Sequence, residues 1–283
     1  MPPRTSPTER QKRLGAELRK LRTAAGMSTE SAAGLLGLDR TKISNIESGI
    51  RGINAERLRT LACNCACDDP AYVEGLVAMA NRVGRNWWDR YRGSLPASML
   101  DIAEMEHFAT RIRAGVTVHI PGLLQTGDHA TAVFRMGVPA LPEHEIALRV
   151  AWRLERQQIL EREAPPTFLG VIHEAALRMQ FGGRKVAWAQ LEHLLAMSER
   201  DTVIIRVIPF EHGSFPGAGQ TVNYLQGPVP QLDTVQIDST HGAEFLYQEA
   251  QLAKYRAQLD SMEQVSLSPL ESRDFIHAIA QQL

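Results

Sequence analysis

Two short helical segments that meet at Gly37 constrain the fold more than any other feature of this 283-residue chain. Ser28 precedes the first segment (29–36) and Asp39 precedes the second (40–48), and side chains of these types accept hydrogen bonds from the free N–H groups at a helix start. Gly37 can adopt a left-handed backbone conformation at little steric cost, which ends the first helix sharply. The sequence therefore predicts two helices joined by a tight turn.

Further helices are predicted on both sides of this pair, over about 9–25 before it and from Asn54 after it. The apolar positions that recur at helical spacing are Leu14, Leu18, Leu21, Ile43, Ile46, Leu58 and Leu61. In the second helix of the pair the isoleucines occupy one face, and the polar and basic residues occupy the others. That is the layout of a helix-turn-helix, which places the start of its second helix in the major groove of DNA.

The run G-L-D-R-T-K-I-S-N-I-E-S-G (37–49), with Ala33 and Arg22, resembles the Xre family of helix-turn-helix regulators, which includes the phage repressors. The resemblance implies an all-α, lambda-repressor-like domain, which we expect over 1–80. In that family the position of Arg22 often forms a buried ion pair with the position occupied here by Glu47. We therefore expect a structural ion pair between these two side chains.

The same resemblance assigns contacts with DNA. Arginine can bind guanine and asparagine can bind adenine with two hydrogen bonds each, and the threonine methyl can contact thymine. Phosphate contacts set the register of the protein on DNA and carry no sequence information. The expected base contacts are Arg40, Thr41, Ser44 and Asn45, and the expected phosphate contacts are Thr29, Lys42, Arg51 and Asn54. Taken singly, Arg40 and Lys42 would be ordinary solvated charges; together, at a capped helix start, they favour contact with DNA.

The charge distribution agrees with this interpretation. The whole chain carries a formal net charge of −1. Residues 1–60 hold twelve Lys and Arg against six Asp and Glu, a net +6, and the remainder carries −7. A basic N-terminal part on an acidic remainder is typical of a protein in which one domain meets phosphate groups.

A chain of this length usually folds as two domains. The segment 81–96 combines Gly84, Pro96 and three aromatic residues, and we predict that it links the two domains. The aromatic residues, Trp87, Trp88 and Tyr91, are candidates for a ligand pocket or an interface.

Residues 97–283 are predicted to form a mixed domain of the α+β class, with a small sheet flanked by helices. The predicted helices cover about 99–113, 123–136, 143–162, 174–180, 185–198, 249–264 and 269–281. The predicted strands cover 116–120, 168–172, 202–209, 221–226, 234–238 and 243–248.

The run IPGLLQTGDHA (120–130) resembles the signature of a domain of unknown function found behind Xre-type domains in actinobacterial regulators. The supporting segments are 153–157, 171–183 and 206–219, so that the resemblance covers roughly residues 85–275. Members are often described as antitoxin-like transcriptional regulators, and their genes commonly lie beside genes for small partner proteins. The resemblance thus implies a regulatory or partner-binding role for the second domain.

Motifs for catalysis and metal binding are incomplete. The H-E pair at 173–174 is followed by Leu177 where a metalloprotease motif needs histidine, and the glycine-rich stretch 213–219 lacks the lysine of a phosphate-binding loop. The three cysteines within 63–67 lack the paired spacing of zinc sites, which favours a structural role over a metal or redox role. We expect no enzymatic activity, no metal and no cofactor.

The sequence therefore predicts a sequence-specific transcriptional regulator that binds double-stranded DNA as a homodimer, at a palindromic operator with half-sites about 34 Å apart. Two alternatives stay open: an antitoxin-like protein whose main role is to bind a small protein partner, and a regulator that senses a small molecule. There is no secretory signal and no run of about 18 apolar residues, so we expect a cytoplasmic protein without a membrane span.

Overall fold

The computed structural model describes residues 6–81, 84, 86–239 and 242–283. The chain divides into two compact units. The first comprises Met1–Met105 with Gly227–Asp233, and the second comprises Glu106–Gln226 with Thr234–Leu283. Arg82, Val83 and Arg85 of the predicted linker lie outside the described residues.

The boundaries of these two units differ from the domain boundaries predicted from the sequence. The first unit takes in most of the helix that follows the predicted linker, because Asp101 accepts a hydrogen bond from the Glu9 backbone N–H at 3.1 Å. It also takes in 227–233, because Leu232 is part of its apolar core. The boundaries 1–80, 81–96 and 97–283 stay a prediction about separable domains.

The first unit is helical, as predicted. Its described elements are α1 (Glu9–Ala24), α2 (Thr29–Leu36), α3 (Arg40–Glu47), α4 (Ala55–Asn64), α5 (Pro70–Ala80), a 3-10 helix (Trp87–Tyr91) and most of α6 (Ala97–His107). The predicted caps form: Ser28 accepts the Ser31 N–H at 3.0 Å and Asn54 accepts the Arg57 N–H at 2.9 Å. Gly37 adopts φ +61°, which gives the tight turn between α2 and α3.

One apolar core holds these helices together. Its buried residues come from all five of the first helices and from the segment 227–233. The larger ones are Leu14, Leu18, Leu36, Ile43, Ile46, Ile53, Leu58, Leu61, Tyr72, Leu76 and Leu232. Burial of this apolar area is the main term that stabilises the unit, at roughly 25 cal/mol per Å².

The second unit is a mixed sheet with helices, which confirms the predicted fold class. Its helices, after the end of α6, are α7 (Gly127–Arg135), α8 (Glu143–Gln157), α9 (Glu174–Arg178), α10 (Arg184–Met197), α11 (Glu249–Val265) and α12 (Pro269–Gln282). Its strands are β1 (Arg111–Val116), β2 (Thr167–His173), β3 (Val203–Ile208), β4 (Val222–Gln226), β5 (Thr234–Ser239) and β6 (Gly242–Leu246).

The strand order is β3-β2-β1-β4-β5-β6. Strands β1, β2 and β3 run parallel, and β4, β5 and β6 each run antiparallel to the preceding neighbour in that order. The register places Gly115 of β1 level with Val222 of β4, and Val222 level with Ile237 of β5. The carboxyl ends of β1 and β5 therefore meet at the same edge of the sheet.

Two predictions around β1 are wrong. The helix predicted over 99–113 ends at His107, and the strand predicted at 116–120 occupies Arg111–Val116. The cause is a buried arginine within the strand. Arg113 is 6% exposed, and its guanidinium group is paired with Asp260 at 2.7 Å and Glu263 at 3.2 Å, both on α11. This charge interrupts the apolar pattern by which a central strand is recognised.

No helix among the described residues is both long enough and apolar enough to cross a bilayer.

Candidate nucleic-acid interface

The start of α3 is fixed by Asp39. Its Oδ1 atom accepts the Lys42 backbone N–H at 2.7 Å, and its Oδ2 atom lies 2.8 Å from Lys42 Nζ. Hydrogen bonds from Lys42 hold the pKa of the Asp39 carboxyl below its ordinary value. The carboxylate is therefore charged at neutral pH and caps the helix. Because both side chains are largely exposed, the ion pair is weak and a phosphate group can compete for Lys42.

The four side chains expected at base edges lie on the solvent side of α3. Arg40, Thr41 and Ser44 are exposed, and Asn45 is half-buried. Ser44 Oγ donates to the Arg40 carbonyl at 3.2 Å, so this hydroxyl is bonded back to its own helix. On the opposite face Ile43 and Ile46 are 4% and 5% exposed and anchor the helix in the core. The helix thus presents a polar surface from a rigid support.

The residues expected at phosphates lie at helix starts and in the loop after α3. Arg51 and Asn54 are exposed, and Thr29, the first residue of α2, is half-buried. Asn54 uses Oδ1 to cap α4, which leaves its amide NH₂ group to donate to another acceptor. Helix starts carry free N–H groups and a partial positive charge, and both favour anions.

Arg22 and Glu47 form a two-pronged ion pair inside the unit. Arg22 Nε donates to Glu47 Oε1 at 2.5 Å, and Arg22 Nη2 donates to Oε2 at 3.0 Å. Arg22 Nη1 also donates to the Met27 carbonyl at 2.7 Å. The hydrogen bonds with Glu47 raise the pKa of Arg22. One guanidinium group therefore joins the end of α1, the turn after it and the last residue of α3.

Sequence reasoning missed a close approach of α1 to the end of α3. A Cβ atom on Gly15 would lie 2.5 Å from the Glu47 carbonyl oxygen, and one on Gly49 would lie 2.8 Å from backbone atoms of Gln11 and Lys12. Gly49 also adopts φ +75°, a conformation that disfavours other residues. A glycine inside an amphipathic helix, as at Gly15, is the signal that could have indicated this contact.

Sequence reasoning also missed a buried polar network. Arg13 donates to Glu17, which also accepts the Tyr72 hydroxyl, and Arg13 donates to the Gln231 carbonyl at 2.6 Å. All three side chains of the Arg13–Glu17–Tyr72 network are nearly fully buried. Burial, followed by the bond to Glu17, raises the pKa of Tyr72, so that the phenol is a stable donor. The network fixes the segment 227–233 to α1 and α5.

That segment makes further contacts within the first unit. Gln231 Nε2 donates to Asp69 Oδ2 at 3.0 Å, and the Gly227 N–H donates to Asp233 Oδ1 at 3.0 Å. Leu232 Cδ1 lies 2.7 Å from the position that a Cβ atom on Gly75 would occupy. The pattern GPVPQLD (227–233) resembles an ordinary loop, and no local signal in it predicts a role in the helical unit.

The aromatic residues of the predicted linker form a 3-10 helix (Trp87–Tyr91) in the first unit. Trp88 and Tyr91 are 3% and 5% exposed, whereas Trp87 is half-buried. The Trp87 ring meets Trp88 and Tyr91 edge to face, with centroids 5.6 Å and 6.1 Å apart. Two of the three rings thus pack in the interior, and a ligand or interface role for the three residues stays a prediction.

The cysteines lie at the end of α4. Cys63 is exposed, Cys65 is buried and Cys67 is half-buried. Burial raises the pKa of the Cys65 thiol, which disfavours the thiolate that binds metals. Among the described residues, no three His, Cys, Asp or Glu side chains are grouped as metal ligands would be.

A groove of about 370 Å³ lies between α7 and α8 in the second unit. Its lining is mostly apolar and includes Ile146, Val150 and Leu154. Trp87 and Trp88 belong to the first unit and do not line it. A small-molecule pocket at these tryptophans stays a prediction.

Two protein families match the chain. Residues 13–71 match a family described as Helix-turn-helix domain. Residues 99–278 match a family described as Domain of unknown function (DUF5753). No curated protein and no solved structure matches the chain.

The first match covers α2, α3 and the turn between them, together with most of the Arg22-containing helix α1. A helix-turn-helix is a DNA-binding module, so the match and the exposed start of α3 indicate a DNA-binding regulator. The second match covers more than half of the chain, and the protein therefore belongs to the DUF5753 family, with a helix-turn-helix domain preceding the domain that defines the family.

Proposed function

We propose that this protein is a sequence-specific transcriptional regulator of the Xre type, with α3 as its recognition helix. The observation that carries the proposal is the asymmetry of α3. Arg40, Thr41 and Ser44 are exposed at its start, while Ile43 and Ile46 anchor its other face. A helix start that is polar, cationic and rigidly supported is suited to the major groove.

The roles of individual side chains follow from their chemistry. Among the described residues, the Arg40 side chain is exposed and makes no hydrogen bond or ion pair, so its guanidinium group is available for guanine O6 and N7. Asn45 and Thr41 are suited to adenine and thymine in the same groove. Lys42 and Arg51, with Thr29 and Asn54 at the two helix starts, are suited to the phosphates on either side.

A homodimer fits this mode of recognition. One recognition helix of eight residues reaches only a few base pairs, and two related by a two-fold axis would read a palindrome with half-sites about 34 Å apart. We assign dimerisation and the reception of a signal or a small protein partner to the second unit. The antitoxin-like resemblance of the segment 120–130 supports a partner, and the groove between α7 and α8 supports a small molecule.

Selection of duplexes from a random pool with the full chain tests sequence-specific binding. We expect enrichment of a short palindromic motif and an affinity that falls steeply with salt, since phosphate contacts release counterions. Failure to retain any duplex in low-salt buffer would overturn the proposal.

Light scattering of the free and the DNA-bound protein tests the dimer separately. A mass of two chains per operator is the expected result. A single chain bound to a non-palindromic site would leave DNA recognition standing and would refute the dimer.

A further inference from the structure

The loop between β1 and α7 is held by three glutamine side chains. Gln125 Nε2 donates to the Ile120 carbonyl at 2.8 Å, and Gln157 Nε2 donates to the Gln125 carbonyl at 2.7 Å. Gln190 Nε2 donates to the Leu124 carbonyl at 2.7 Å, and its Oε1 accepts the Thr126 N–H at 2.7 Å. The two most distinctive sequence segments of the second unit, 120–130 and 153–157, thus interlock into a rigid structure.

Beside this rigid loop, two polar side chains keep unused hydrogen-bonding capacity. His129, in the first turn of α7, is 1% exposed, and neither ring nitrogen has a hydrogen-bond partner among the described residues. Arg153 Nη1 donates to Gln125 Oε1 at 2.5 Å, whereas its Nε atom is buried without a partner in the same described part of the chain. Buried polar groups without partners are costly, so their retention points to a ligand that supplies the bonds.

Aromatic rings surround these two groups. The Arg153 guanidinium carbon lies 4.3 Å from the centroid of the Phe134 ring. The Phe181 ring lies between two imidazoles, with centroids 5.1 Å from His119 and 5.4 Å from His129. His119 is exposed and marks the side from which solvent reaches the cluster.

The cluster lies at one edge of the sheet. His119 follows the carboxyl end of β1, and Asp238 lies at the carboxyl end of β5, at the same edge. Asp238 is exposed and interacts electrostatically with both Arg153 and His119.

The protonation states of the cluster are defined by burial. Burial lowers the pKa of His129 to about 4, so this imidazole is neutral at neutral pH and can both donate and accept. Burial also lowers the pKa of Arg153, to about 9, so its guanidinium group keeps its charge at that pH. The cluster thus combines one cation, two imidazoles and two phenyl rings.

We propose that the cluster of His119, His129, Phe134, Arg153 and Phe181 binds a small organic carboxylate with an apolar body. The Arg153 guanidinium group donates to the carboxylate, the phenyl rings pack against the apolar body, and the imidazoles bind a polar substituent. An inorganic anion is a poorer fit, because it has no apolar body for the two phenyl rings to pack against. The inference goes beyond DNA binding and concerns the second unit alone.

Titration of the full-length protein with sodium 4-hydroxybenzoate tests the proposal, with the histidine ring nitrogens observed by NMR and sodium chloride added to the reference at equal ionic strength. Saturable shifts of the His119 and His129 resonances are expected. The Arg153→Gln variant should weaken binding at least about tenfold, the factor expected when one charged hydrogen bond of about 1.4 kcal/mol is lost.

Two further variants keep the test decisive if Arg153→Gln does not fold. His119→Ala removes an exposed ring at the rim and should fold and bind 4-hydroxybenzoate more weakly. Arg135→Gln removes an exposed arginine on α7 that pairs with Glu143, and it should bind as the unmodified protein does. Three results would overturn the proposal: no saturable shift, equal binding of inorganic phosphate, or equal loss in Arg135→Gln. None of them bears on whether α3 binds DNA.

Discussion

Gly15 of α1 lies so close to Glu47 of α3 that a Cβ atom on Gly15 would be 2.5 Å from the Glu47 carbonyl oxygen. The obstacle is backbone, which cannot rotate away as a side chain can. The same two residues mark the place where α1 packs against the end of α3, so the position of α3 depends on the absence of a side chain at Gly15.

Gly15→Ala is therefore expected to destabilise the first unit, although alanine favours helices. Overpacking of this kind costs typically about 1–3 kcal/mol, which exceeds the gain of up to about 1 kcal/mol from helix propensity. Denaturant unfolding of the full chain measures the effect. Gly34→Ala is the matched control, since Gly34 of α2 has no atom within 4 Å of an added Cβ atom and should gain stability. Equal gains for both variants would contradict the close approach.

Arg22→Ala should destabilise the unit strongly, because it leaves Glu47 nearly buried with no cation. Loss of one partner of a buried pair costs about 3–5 kcal/mol, whereas replacing both partners by apolar residues costs much less. The double variant Arg22→Met with Glu47→Leu should therefore be more stable than Arg22→Ala in the same unfolding measurement. Arg59→Ala breaks an exposed pair with Glu74 and should leave stability nearly unchanged. If the double variant is instead the least stable of the three, the ion pair contributes more to the free energy of unfolding than apolar packing at the same two positions does.

Leu232→Ala should destabilise the DNA-binding unit, although the helices α1 to α5 that Leu232 packs with end more than 150 positions earlier in the sequence. Leu232 is 6% exposed within the core of the first unit, and truncation of a buried leucine costs about 2–5 kcal/mol. DNA affinity and unfolding of the full chain measure the two consequences. Leu270→Ala removes a leucine that is 71% exposed and serves as the control. An unaffected first unit in Leu232→Ala would show that 227–233 is dispensable.

The pH dependence of the first unit should depend on Asp101. Burial raises the pKa of this carboxyl to about 6, although the hydrogen bond from the Glu9 backbone N–H lowers it. The Glu9 and Glu104 charges add to the rise, and the Lys12 charge opposes it. Since the folded-state pKa lies above that of the unfolded chain, the folded state binds the proton more tightly. The resulting stabilisation is complete below about pH 4 and is lost as the pH rises through about 6.

Asp101→Asn keeps an oxygen acceptor for the Glu9 N–H and removes the buried charge. It should stabilise the protein at pH 8 by an amount on the order of 1–3 kcal/mol and have little effect at pH 4. Unfolding at both pH values measures the difference, and the exposed Asp201→Asn is the control. A gain of equal size at both pH values would rule out titration as the cause.

Local chemistry explains which parts of the fold were predictable. Ser28, Asp39 and Asn54 are caps whose side chains act within three residues of their own position, and each one was recognisable in the sequence. The helices and most strands of the second unit followed from periodicity and turn residues. The start of α3 was recognisable for the same reason, since its cap and its two buried isoleucines lie within eight residues.

Contacts between distant segments were not predictable. Arg113 is a charged residue in a central strand only because Asp260 and Glu263 lie on a helix almost 150 residues later. Gln231 and Leu232 are held in the first unit because Arg13 donates to the Gln231 carbonyl and because Gly75 has no side chain where Leu232 packs. No local sequence pattern around any of these residues identifies its distant partner. A single sequence therefore does not predict which residues pair.

Substitutions on α3 test the proposed division between side chains that contact bases and side chains that contact phosphates. Arg40→Ala should weaken binding to the selected operator by about 1–3 kcal/mol and relax the preference at one base pair. Lys42→Ala should weaken binding to all sequences alike and reduce the salt dependence by about one phosphate contact. Arg59→Ala, an exposed arginine on α4, controls for the loss of a positive charge elsewhere in the unit.

The ion pair between Lys42 and Asp39 should reduce the affinity of the protein for DNA. The Lys42 ammonium group lies 2.8 Å from Asp39 Oδ2, so binding to phosphate requires exchange of one acceptor for another. Asp39→Asn keeps a side-chain acceptor for the Lys42 N–H and removes the competing charge, so it should increase affinity for all duplexes at low salt. Binding curves for operator and random DNA, measured at two salt concentrations, distinguish these effects. If Arg40→Ala and Lys42→Ala reduce affinity for both duplexes equally, then Arg40 contacts phosphate and the base contacts lie elsewhere on α3.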